Sequence, residues 1–90
     1  MIQKKYIIKD ELGLHARPAA KIVNKLKEFD ADFTIKTNEK EVNMSSIMML
    51  LSLKLTRNKE FELIIQGKEE KIALLTLEDL FEEMKFCYPL

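Results

Sequence analysis

Stretches of period-two and period-3.6 hydrophobicity alternate along this chain with no linker between them, and this alternation limits the fold more than any other feature. Residues Met1–Ile8 set Ile2, Lys4, Tyr6 and Ile8 against Gln3, Lys5 and Ile7, the pattern of a strand. Ala19, Ile22, Val23 and Leu26 then recur at i, i+3, i+4 and i+7, which predicts a helix with Pro18 in its first turn, where a missing N–H costs nothing. Phe33, Ile35 and Thr37 predict a second strand, and Asn38-Glu39 a turn into a short third strand at Lys40–Asn43. Ser45-Ser46 ahead of Ile47, Leu50 and Leu51 reads as an N-capped short helix. Phe61, Leu63 and Ile65, closed by Gly67, give a fourth strand. Ala73, Leu77, Leu80, Phe81 and Met84 put an apolar stripe on a last helix from about Glu69 to Lys85, with Pro89 beyond its end.

The order is therefore β-α-β-β-α-β-α, and the expected fold is α+β: an open-faced β-sandwich. Four mainly antiparallel strands would carry three helices on one face and meet water on the other. Ninety residues suit one domain spanning 1–90. The hydrophobic share of 47% and the charged share of 33% match a globular domain rather than a disordered segment.

Lys+Arg and Asp+Glu both number 15, so the chain lacks the surplus positive charge that displaces counterions from nucleic acid. A lone cysteine, Cys87, excludes an internal disulfide and any multi-cysteine metal site, and no cofactor is expected. The longest apolar run, Ile47–Leu51, falls far short of the roughly 20 residues that cross a bilayer. Met1–Asp10 lacks the apolar core of a signal peptide. The expected compartment is a reducing cytoplasm, with no membrane insertion.

The one histidine, His15, occupies the position just before the first helix, where Ser, Thr, Asp or Asn would normally cap an amide. With no such oxygen there, the first-turn amides, those of Ala16 and Arg17 among them, are left for an outside anion. Arg17 adds a planar fork of donors suited to phosphate oxygens. Gly13 can turn the chain sharply into the helix. Imidazole is a competent nucleophile, and the positive end of a helix stabilises the negative charge that arrives when the ring is phosphorylated. A polar surface histidine would satisfy the same spacing, so spacing alone leaves both readings open.

The segment Gly13-Leu14-His15-Ala16-Arg17-Pro18-Ala19 resembles the active-site signature of the HPr family, the histidine-containing phosphocarriers of the bacterial phosphoenolpyruvate-dependent sugar phosphotransferase system. The similarity runs through nearly the whole chain: Val42-Asn43, Ser46-Ile47-Met48 and Ser52-Leu53 resemble that family's regulatory segment. The resemblance implies that enzyme I passes a phosphoryl group to Nδ1 of His15, and that His15 passes it to the IIA domains of sugar permeases. Arg17 would help hold the phosphate, and the protein would be a stoichiometric carrier rather than an enzyme.

Ser46 matches the serine that an ATP-dependent HPr kinase/phosphorylase modifies in Gram-positive members, where the product slows sugar uptake and serves a catabolite-control repressor. A phosphate at a helix N-terminus is tolerated locally but would repel an acidic partner. The chain departs from the family pattern at Ser45, where many members are basic, and at Met49, Lys54 and Asn58, where glycine is usual.

By the same resemblance Ile47 and Met48 dock the partners. Between His15 and Phe29, Arg17, Lys21, Lys25 and Lys27 face one acid, Glu28, so Lys27 joins a basic surface that steers acidic partners. Met44 and Met49 suit either the docking face or gaps in the core. The expected state is a monomer. The rival reading is an HPr-like regulatory module acting mainly through Ser46; paralogues of that kind are expected to lose the active histidine, which this chain retains.

Overall fold

A computed structural model describes residues Met1–Leu90. Its elements are β1 (Ile2–Ile8), α1 (Ala16–Leu26), β2 (Asp32–Lys36), β3 (Glu41–Asn43), α2 (Ile47–Leu51), β4 (Glu60–Gln66), α3 (Glu70–Met84) and β5 (Cys87–Pro89). The strands form one sheet in the order β3-β2-β4-β1-β5, and every neighbouring pair is antiparallel. The α+β open-faced sandwich expected from the sequence is therefore present, with one correction: the sheet has five strands, not four.

The fifth strand comes from the chain's exit from α3. Lys85 takes a left-handed backbone (φ 53°), and the amides of Lys85 and Phe86 donate to the carbonyls of Glu82 and Phe81. These bonds close the helix in a Schellman-type turn and throw the chain back against β1. Tyr88 pairs with Ile7 and Cys87 with Ile8.

One face of the sheet is apolar because the alternation along each strand is in phase across the sheet. Tyr6, Ile8, Phe33, Ile35, Val42, Phe61, Leu63 and Ile65 all point into the core. The helices answer with Ala19, Ile22, Val23 and Leu26 from α1, Leu50 from α2, and Ala73, Leu77, Leu80 and Phe81 from α3. Shifting any strand by one residue would turn its apolar set to water, so the pattern itself fixes the register. Tyr6, Phe61, Phe81 and Phe86 form an aromatic cluster, with Tyr6 stacked on Phe61 at 5.4 Å and edge-on to Phe81 at 5.5 Å.

Met44, only 1% exposed, belongs to this core, whereas Met48 is 78% exposed. On the open face the register sets Lys5 beside Glu62, Glu62 beside Lys36 and Lys36 beside Glu41, an alternation of charge across four strands. No helix is long and apolar enough to cross a membrane.

Candidate functional site

The site is built where β1 ends and α1 begins. The Asp10 carboxylate starts the turn: its Oδ1 accepts from the amide of Leu12 at 2.9 Å, and the Asp10 carbonyl accepts from the amide of Gly13 at 2.9 Å. Gly13 then adopts φ +67°. A Cβ there would lie 2.2 Å from the Leu55 carbonyl oxygen, so this turn requires glycine.

The same Leu55 carbonyl accepts from the amide of Leu14 at 2.8 Å, and the Leu14 side chain is buried. His15 is thus presented by a loop pinned on one side to the segment after α2 and on the other to α1, whose Pro18 and Ala19 are buried.

His15 is the residue that caps α1 in position but not in chemistry. Its backbone is extended (φ −104°, ψ −175°), its carbonyl accepts the first helical bond from Ala19 at 3.1 Å, and its side chain caps no amide. The amides of Ala16 and Arg17 are therefore the orphan donors of a helix start, with no cap to satisfy them. The His15 side chain is 33% exposed, and its Nε2 lies 3.5 Å from Oδ2 of Asp10. The Arg17 side chain is exposed and takes part in no ion pair. The expected group of His15, the amides of Ala16 and Arg17, and the Arg17 guanidinium thus shares one helix start.

Asp10 is the residue that sequence reasoning missed. The only local signal was an aspartate able to open a turn, which gave no hint that its second oxygen reaches the ring.

Ser46, and not Ser45, caps α2: its Oγ accepts from the amide of Met49 at 3.3 Å, while the Ser45 amide donates to Oδ1 of Asn43. Ile47 is half-buried against the core, and Met48 and Met49 face outward. Lys27 is exposed at the end of α1, against which α2 packs. Lys54 and Asn58, which stand where glycine is usual in the resemblance, both take positive φ, at 51° and 74°.

Cys87 is buried, and desolvation, followed by the nearby Glu78 charge, pushes its thiol up to about 12. It stays protonated at neutral pH and has no nucleophilic character there.

Comparison with known proteins fits this geometry. The family model described as PTS-HPr, "PTS HPr component phosphorylation site", matches residues 2–83. Phosphocarrier protein HPr of Borreliella burgdorferi is 38% identical over 85 residues, covering 94% of this chain and 99% of that protein. Among solved structures, the histidine-containing phosphocarrier protein of Mycoplasma superposes with a TM-score of 0.87 at 28% identity, covering 92% of this chain and 94% of that one. Crh, the Bacillus subtilis catabolite repression protein, whose crystal structure is described as a dimer with a swapping domain, superposes with a TM-score of 0.71 at 38% identity, covering 92% and 95%. With a family model spanning most of its length and a relative this similar end to end, the chain belongs to the HPr family of phosphotransferase-system phosphocarriers.

Proposed function

We propose that this chain carries phosphoryl groups on Nδ1 of His15, taking them from phosphorylated enzyme I and giving them to the IIA domains of sugar permeases. The observation that carries this reading is a histidine in the capping position of α1 that leaves the first amides of the helix unsatisfied. In the accepting step the Nδ1 lone pair forms a bond to phosphorus while the donor's bond to phosphorus breaks, its electron pair staying with the donor. The amides of Ala16 and Arg17 and the Arg17 guanidinium take the phosphoryl oxygens. The protein is consumed and regenerated stoichiometrically, so it is a carrier and not an enzyme. The reading requires no cofactor or metal, treats residues 1–90 as one monomeric domain, and sets the protein in the cytoplasm.

Partners dock on Ile47, Met48 and the basic surface that includes Lys27. Phosphorylation of Ser46 by an ATP-dependent kinase/phosphorylase regulates the carrier and prepares it for a catabolite-control repressor. Its position at the start of α2 supports this, since added negative charge there costs the helix little.

The test is incubation with enzyme I and phosphoenolpyruvate. One acid-labile phosphoryl group, absent from His15→Ala, is the expected gain; no gain with a competent enzyme I overturns the reading. For Ser46 the expected product is one acid-stable phosphate that requires ATP and the kinase and is absent from Ser46→Ala.

The likeness to Crh favours a second reading, a regulatory module acting mainly through Ser46. It predicts modification of Ser46 with no phosphoryl transfer to His15.

A further inference from the structure

We propose that Asp10 is a positioning residue for the phosphoryl acceptor: its carboxylate holds a proton on Nε2 of His15 and so keeps Nδ1 bare. The inference rests on the carrier reading above for its consequences, but its first step concerns the unmodified protein alone. The carboxylate is fixed in place by use of both its oxygens. Oδ1 accepts from the amide of Leu12 at 2.9 Å, which ties the side chain to the turn it begins, and Oδ2 stands 3.5 Å from Nε2.

A neutral imidazole carries its proton on one nitrogen and a lone pair on the other. Set against a carboxylate oxygen, the lone pair would meet like charge, whereas the N–H meets its natural acceptor. The tautomer with hydrogen on Nε2 is therefore the favoured one. Nδ1, which caps no amide of the helix, is then the nitrogen with a free electron pair. The 3.5 Å separation is long for the unmodified ring, as such contacts often are before the reacting complex forms.

The same carboxylate matters after transfer. When Nδ1 forms its bond to phosphorus, no proton has to leave the ring, because Nε2 keeps its own. The ring gains a formal positive charge as the dianionic phosphoryl group arrives. Asp10 then faces an imidazolium N–H, and the contact becomes an ion pair. Loss of the charge should lower the share of phosphorylated protein at equilibrium with a donor roughly three- to tenfold, the size expected of a partly exposed pair.

Asn at position 10 separates the turn from the carboxylate's action on the ring. Asp10→Asn keeps an oxygen for the Leu12 amide, so the turn is retained, but it sets an NH2 donor in place of the carboxylate oxygen that faces Nε2. Asp10→Ala removes both carboxylate oxygens. The ring's tautomer is read directly from the nitrogen chemical shifts of His15 in ¹⁵N-labelled, unmodified protein at a pH where the ring is neutral. Phosphorylated occupancy is read by intact mass after equilibration with phosphoramidate, a small-molecule phosphoryl donor that needs no partner protein.

The expected wild-type spectrum has a protonated Nε2 and a bare Nδ1. Asp10→Ala should move toward the tautomer mixture of free imidazole, while Asp10→Asn, which offers a donor to Nε2, should move the ring toward hydrogen on Nδ1 and lower the occupancy. An unchanged tautomer in Asp10→Ala overturns the proposal, and so does a wild-type ring protonated at Nδ1. Unchanged occupancy in Asp10→Asn overturns the ion-pair step. Failure of the wild-type protein to accept phosphoryl from any donor defeats the carrier reading instead, and the tautomer measurement still decides the role of Asp10.

Discussion

Gly13 and Leu55 are in closer contact than any other residue could make: a side chain at position 13 would begin 2.2 Å from the Leu55 carbonyl oxygen and 2.9 Å from the Cα of Thr56. That carbonyl also accepts from the amide of Leu14, the residue next to the histidine. The approach of these two backbones, 42 positions apart in the chain, determines where His15 stands.

Gly13→Ala should therefore damage the fold and the site together. The substitution places a side chain at φ +67° and against backbone atoms that cannot rotate away. The expected loss is about 3 kcal/mol or more of unfolding free energy, above the typical single-site cost. Urea denaturation measures it. A loss below about 1 kcal/mol would mean the loop shifts freely and is not pinned at Leu55.

Met44 and Met48 should behave oppositely although they are four positions apart on one short segment. Met44→Ala empties a fully packed position and should cost about 2–4 kcal/mol. Met48→Lys changes a side chain that is 78% exposed and should leave stability within about 0.5 kcal/mol. The second variant should instead slow phosphoryl acceptance from enzyme I, seen as a raised KM for the carrier with the fold intact. Paired thermal denaturation and transfer assays separate the two effects.

Glu78 gives the fold an acid-sensitive contact. Burial works against its charge, but hydrogen bonds from Lys4 at 2.7 Å and Tyr6 at 2.8 Å outweigh that and hold its carboxyl below the ordinary value of 4.5. Because the folded pKa lies below the unfolded one, folding favours the ionised form. The resulting stability is fully present above about pH 4.5 and is lost as pH falls through the lowered folded value. Tyr6→Phe removes one of the two donors, and should cost about 1–2 kcal/mol at neutral pH. The gap between variant and wild type should narrow in acid, as measured by denaturation at several pH values. A gap that stays constant would place the cost in packing of the aromatic cluster instead.

The sequence carried most of the fold because each element is amphipathic at its own period. The stripe from Ala19 to Leu26 and the alternation through Phe61, Leu63 and Ile65 mark elements that bury the same residues in the structure. β5 escaped that reading because three residues show no periodicity, and Pro89 reads as a terminator. The turn that launches it uses Lys85 in the left-handed conformation, where glycine would have been a signal.

At the site, His15, Arg17 and the bare helix start are neighbours in sequence and were legible from it. The tie between Asp10 and the ring depends on the loop folding back on itself, and the register of Gly13 on Leu55 depends on a long-range contact. Neither leaves a periodic trace. The capping choice between Ser45 and Ser46 was likewise decided by backbone geometry, since either hydroxyl has the right chemistry.

The most direct test of the carrier account is to locate the phosphorus by NMR in ¹⁵N-labelled protein phosphorylated by enzyme I and phosphoenolpyruvate. The account predicts a ³¹P signal coupled to Nδ1 of His15, with Nε2 still bearing hydrogen. Phosphorus coupled to Nε2, or bound to a hydroxyl oxygen while His15 stays unmodified, would contradict it.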